Sequence, residues 1–224
     1  MISIPTFLAG LLALTSVTYA RPADDPSSDD GGVDTAGIAG YGTATISWDL
    51  PIDLNNLSGD TLTVTGSVQE AVAAMEAAYP GWNATFQSKL PAPSPDDDDD
   101  GSSLQSRNGL LFKTPTVDHR DCDINYVKAD IRRINDGIRY LRGLSGTAKN
   151  GPGWGNCGRV SCSWTAAIWW CNDNAEEKEV QWGDIADGAE YLTNKCQQPR
   201  RKVRGQVFYT DNWNVIVRMD QNNC

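Results

Sequence analysis

Apolar residues recur along this chain with several distinct spacings, and each spacing predicts a different element. The only long apolar stretch is N-terminal, from Ile2 through Phe7-Leu8 to Leu14, and it ends in Thr18-Tyr19-Ala20 with small residues at its close. This is the layout of a secretory signal peptide cleaved after Ala20, too short to span a bilayer. Residues 43–49 and 61–65 alternate β-branched or apolar residues with polar ones and predict half-buried strands. A helix follows, because Ser67 and Glu70 form an S-x-x-E capping box and Val68, Val72, Met75 and Tyr79 recur at helical spacing up to Pro80-Gly81.

The second half repeats these periods more densely. Val127, Ile131, Ile134, Ile138 and Leu141 form one apolar stripe and predict a helix over residues 124–142. Residues 143–158 are rich in glycine and read as a long loop. Residues 159–171 (R-V-S-C-S-W-T-A-A-I-W-W-C) read as one or two strands near the middle of a sheet. Trp182, Ile185, Ala189, Leu192 and Cys196 share one face of a second helix over 184–196. Strands over 203–209 and 213–219 are joined by a turn at Thr210-Asp211-Asn212.

This order predicts an α+β protein: two helices packed on an antiparallel sheet, disulfide-stapled, preceded by a small ββα unit and an acidic linker. The expected organisation is a signal peptide at 1–20 and a disordered acidic leader at 21–42. A ββα unit at 43–90 follows, with a possible role as propeptide, then a low-complexity linker and connector at 91–120 and a cysteine-rich domain at 121–224.

Charge sharpens that division. Residues 1–106 carry 2 Lys and Arg against 15 Asp and Glu, whereas residues 107–224 carry 17 against 14. The net charge of −10 therefore joins an acidic front to a faintly basic back. All six cysteines (Cys122, Cys157, Cys162, Cys171, Cys196 and Cys224) lie in the back, as do six of the eight tryptophans. An even cysteine count behind a signal peptide predicts three disulfides in an extracellular, secreted protein, with 15 pairings open. The spacing lacks the C-x2-C knuckles of common zinc sites, so neither a metal nor another cofactor is expected. These features argue against a polytopic membrane protein, a reduced cytosolic enzyme and a uniformly disordered chain.

Catalytic chemistry finds little support. The one histidine, His119, sits in a polar connector, there is no G-x-S-x-G elbow, and H-E-x-x-H is absent. Asp184 and Asp187 fall in the first turn of a predicted helix, where carboxylates complement the dipole. Binding has better candidates. The basic run Arg200, Arg201, Lys202 and Arg204 suits an anionic partner or a processing protease, as well as a plain solvated loop. Trp169 and Trp170 are adjacent on a strand and point to opposite faces, so one of them is a candidate exposed contact. The modest charge of the back half argues against nucleic acid. Sequons at Asn56 and Asn83 are candidate glycosylation sites.

The stretches N-C-G-R-V-S-C-S-W-T-A-A-I-W-W-C-N-D-N (residues 156–174), I-A-D-G-A-E-Y-L-T-N-K-C (residues 185–196) and the final N-W-N-V-I-V-R with a terminal Cys resemble fungal secreted cysteine-rich effectors. The layout is similar to killer toxins and to the necrosis-inducing effector family. This resemblance covers residues 121–224 and implies a secreted, non-catalytic protein that binds a host or competitor surface component, whether protein, glycan or membrane. The alternatives are a cell-wall carbohydrate-binding or structural protein, and a small secreted hydrolase or nuclease.

Overall fold

The computed structural model describes residue 38 and residues 40–92 and 115–220, all within one compact unit, Val33–Cys224. The expected signal peptide, most of the leader, the Asp-rich linker core and Cys224 lie outside the described residues. In chain order the elements are β1 (Gly42–Thr43), β2 (Ser47–Pro51), β3 (Thr61–Thr65), α1 (Val68–Ala78), α2 (Trp82–Lys89), β4 (Val117–Asp121), β5 (Ala129–Asp130) and α3 (Ile131–Gly143). They continue with β6 (Thr147–Asn150), β7 (Asn156–Ser163), β8 (Ala166–Asn172), β9 (Lys178–Gln181), α4 (Trp182–Lys195), β10 (Gln197–Gln198), β11 (Lys202–Val203), β12 (Gly205–Tyr209) and β13 (Trp213–Met219).

The fold is α+β, but among the described residues it has four helices and three sheets rather than two helices on one sheet. A six-stranded sheet runs β1-β7-β8-β13-β12-β4, antiparallel except for the β1/β7 pair. An antiparallel four-stranded sheet runs β3-β2-β6-β9, and a small one runs β10-β11-β5. Helices α3 and α4 pack on each other and on one face of the six-stranded sheet, α3 over β7 and β8, α4 over β12 and β13. Glycine permits the close approach: a Cβ at Gly188 would lie 2.9 Å from the Tyr209 hydroxyl and from Val215.

Several elements form for the reasons visible in the sequence. Ser67 caps α1, its hydroxyl accepting from the Glu70 amide while the Glu70 carboxylate accepts from the Ser67 amide. At Gly81, with φ 93°, the chain turns into α2, a helix the sequence reading did not anticipate. Other boundaries need correction. Helix α3 starts at Ile131, not at 124, because the Asp130 carboxylate caps it by accepting from the Arg132 amide. Val127 therefore leaves the apolar stripe and is 49% exposed. The supposed loop over 143–158 contains β6, and the connector at His119 is strand β4 on the sheet edge. The strand expected over 43–49 is split between two sheets, and Lys202–Val203 belongs to β11 rather than to β12.

The largest correction concerns the ββα unit, which is not separate. Strand β2 pairs with β6 through Ser47↔Lys149 and Trp48↔Ala148, and one continuous core holds Trp48, Leu50, Met75 and Phe86 together with Leu141, Trp170 and Trp182. Front and back share a sheet and a core.

Candidate functional site

Strand β8 explains what becomes of the adjacent tryptophans. Its residues alternate between faces: Ile168 and Trp170 enter the helix-covered core, while Ala167, Trp169 and Cys171 point the other way. That other face is covered too, by Ile38 and Tyr126 packed with Ile216, and by Tyr41 and Ile124 at its margin. Trp169 and Trp170 are consequently 3% and 0% exposed, so neither is the expected surface contact. Trp169 instead donates its indole N–H to Asp220 Oδ2 at 3.1 Å, and the same carboxylate accepts from Arg218 Nε at 2.8 Å.

The exposed tryptophans are Trp154 and Trp164, at 78% and 73%. Trp154 stands between Gly153 and Gly155, whose φ values of 136° and 66° favour glycine. Trp164 and Thr165 form the two-residue turn between β7 and β8, both at positive φ (49° and 66°). The Arg133 guanidinium lies 5.1 Å from the Trp164 ring centroid. The sequence offered no Asn-Gly signal for this turn, which is why residues 159–171 gave no clear break.

The basic run is divided by the β10–β11 hairpin. Arg200 is exposed at the turn, and the Arg201 carbonyl accepts from the Ile131 amide at 3.0 Å, tying the turn to the start of α3. Lys202 lies 3.8 Å from Asp130. Arg204 turns inward, donating to the Tyr126 carbonyl at 3.0 Å, and like Arg201 and Lys202 it is half-buried. Lys128 donates to Gln198 on the same small sheet, and Arg132 pairs with Asp130. The β10–β11 hairpin and the start of α3 thus bring Lys128, Arg132, Arg200, Arg201 and Lys202 to one small sheet, and Arg133 of the same helix reaches the exposed Trp164.

The opposite end of β8 is acidic. A cleft of about 430 Å³ there is lined by Thr147, Glu179, Asp184, Asp211 and Trp213 among others. Its carboxylates are engaged. Glu179 accepts from Thr147, and Asp211 accepts from the Trp213 indole at 2.7 Å and from Lys178 at 3.0 Å. Burial first, and then Asp187 and Asp184, push the nearby Tyr209 phenol well above its ordinary range. Asp187 itself binds Arg142, which also holds Glu190. A smaller pocket of about 270 Å³ lies between Leu54 and Trp82.

Under the outer face of the sheet, the Tyr41 hydroxyl accepts from Gln206 and Asn214, and Asn214 donates to Asp173 at 2.7 Å. Burial, followed by the Asp173 charge, pushes the Tyr41 phenol up to about 12. These groups anchor the segment entering β1.

His119 is exposed, bonded to Asp118 and stacked on Phe208 at 4.3 Å. Asn56 is exposed in the turn after β2, where its side-chain oxygen accepts from the sequon Ser58, and Asn83 is half-buried on α2. Disulfides join Cys122 to Cys196 and Cys157 to Cys171, and Cys162 is also disulfide-bonded. They indicate an oxidising environment. Among the described residues no helix is long and apolar enough to cross a membrane, and no group of three or more His, Cys, Asp or Glu is placed to hold a metal ion. Comparison with known proteins finds no matching family model, no matching curated protein and no matching solved structure.

Proposed function

We propose that this is a secreted, non-catalytic protein of the effector or toxin-like kind, acting on a host or competitor cell by binding its surface through the cationic end around Trp164. The observation that carries this reading is the grouping of Lys128, Arg132, Arg200, Arg201 and Lys202 at the β10–β11–β5 sheet and the start of α3, the helix from which Arg133 reaches an exposed aromatic ring. Two carboxylates, Asp130 and Asp136, pair within the same group and leave a positive excess. Such an excess concentrates anionic partners and guides association.

The test is binding of the labelled full chain to intact plant, fungal and animal cells. Replacing Arg132, Arg200 and Arg201 by Glu should weaken binding by at least about tenfold, at about 1 kcal/mol for each cation near an anionic surface, and added salt should weaken the wild type similarly. Binding unchanged by charge reversal would remove this reading.

One observation favours a second reading. Trp154 presents a flat ring on a glycine-hinged loop, a surface suited to stacking on sugar rings in a cell-wall polysaccharide. Retention on chitin or glucan that disappears in Trp154→Ala and survives the charge reversal would favour a carbohydrate-binding protein.

A further inference from the structure

We infer that the Trp164 turn is an interfacial anchor, which seats the cationic end of the molecule on a bilayer carrying anionic lipid. The inference rests on the surface-binding reading above and names its partner.

The turn itself is the first observation. A two-residue hairpin with both residues at positive φ is easily made by Asn-Gly, yet here it holds a bulky Trp and a β-branched Thr. Such backbone strain is retained where the surrounding structure imposes it, and it clusters at functional positions. Its effect is to hold an indole at the tip of the β7–β8 hairpin, 73% exposed, with the Arg133 guanidinium against the ring.

A second exposed apolar residue lies at the same end. The Val127 carbonyl accepts from the Met219 amide, Met219 pairs with Ala166, and the Thr165 carbonyl accepts from the Asp220 amide. Val127, 49% exposed, is thereby fixed beside the turn. Tryptophan favours the headgroup level of a membrane, and flanking lysines and arginines add attraction to anionic lipid. Neither cavity described above is lined by Trp164, so the site is a projecting tip rather than a groove. A projecting aromatic ring with a guanidinium against it, carried by the helix whose start holds the cationic small sheet, fits a broad anionic surface. An enclosed small ligand would need walls.

The experiment is flotation of the full secreted chain with phosphatidylcholine vesicles, with and without phosphatidylserine. The expected result is binding only when phosphatidylserine is present, weakened by salt. Trp164→Ala and Trp164→Asn should each weaken it by about tenfold, whereas Leu57→Ala, at another exposed apolar residue, leaves it unchanged. Asn tolerates positive φ, so the Asn variant keeps the turn and removes only the ring; an unchanged melting temperature confirms that it is folded. Cell binding without vesicle binding would overturn the lipid assignment and leave the proposed function standing, whereas loss of both would overturn both. Vesicle binding indifferent to Trp164 would overturn the anchor, and so would tighter capture of a DNA duplex than of vesicles through the same residues.

Discussion

The indole rings of Trp48 and Trp182 lie face to face, with centroids 3.6 Å apart and planes 10° from parallel. Trp48 comes from the acidic front of the chain and Trp182 opens the helix α4 of the cysteine-rich back. Both are fully buried, and Trp48 donates its N–H to the Gly66 carbonyl at 2.6 Å. Truncating either ring to Ala should cost about 3–5 kcal/mol, because it leaves a large cavity in a fully buried part of the core. Urea unfolding of the single and double variants checks this, and the double should cost less than the sum. A chain beginning at residue 115 should fail to give dispersed amide resonances, since it uncovers Trp182 and the β6 edge.

Trp169 should behave as a structural residue. Trp169→Ala should destabilise by about 3–5 kcal/mol through lost packing and a less satisfied Asp220, and Trp169→Phe by about 1–2 kcal/mol through the lost hydrogen bond. Thermal melts measure both. Any loss of cell or glycan binding in these variants should match the unfolded fraction, unlike the loss expected on changing Trp164.

The two mapped disulfides should differ in weight. Chain entropy gives the Cys122–Cys196 bond, spanning 74 residues, about 4.5 kcal/mol and the Cys157–Cys171 bond, spanning 14, about 3 kcal/mol. Paired Cys→Ser variants in denaturant should follow that order. Loss of the first should also free the edge strand β4, read as faster amide exchange over Val117–Asp121, because Cys122 ties that edge to the end of α4.

Burial raises the Asp173 carboxyl above its ordinary 3.8, with hydrogen bonds from Asn214 and Tyr41 partly opposing. The folded chain thus binds this proton more readily than the unfolded chain. The associated stability is fully present below the ordinary value and is lost as pH rises through the raised one. Asp173→Asn should remove that loss. Asp49, Glu70 and Asp130 act in the other direction. The Thr63 hydroxyl, the Ser67 amide and the Arg132 guanidinium respectively hold them below the usual range. Their contribution is present at neutral pH and is lost as pH falls through their lowered values. Denaturant midpoints from strongly acidic to neutral buffers separate the two effects.

Elements whose causes are local were legible in the sequence. The capping box at Ser67 and Glu70 placed α1, the alternation of Thr61 to Thr65 placed β3, and the turn at Asp211-Asn212 placed the β12–β13 hairpin. Strands β4 (V-D-H-R-D) and β6 (T-A-K-N) were not, because each has a single β-branched residue among residues that disfavour strands. Each forms because a neighbouring edge supplies its hydrogen bonds. Of the candidate site, the basic run was legible as charge, but its division into exposed Arg200 and inward Arg204 depends on a hairpin that pairs with a strand some 70 residues earlier.

The sequence by itself determined the α+β class, the cysteine content, the charge asymmetry and the candidate cations, since each depends on composition or on neighbours within a few turns of chain. Tertiary structure decided that front and back are one unit, and that Trp169 is core while Trp164 is surface. Burial is a property of what lies opposite, and the residues that cover Trp169, Ile38 and Tyr126 among them, come from distant parts of the chain. Trp164, at the tip of a hairpin, is 73% exposed, with the Arg133 guanidinium over its ring.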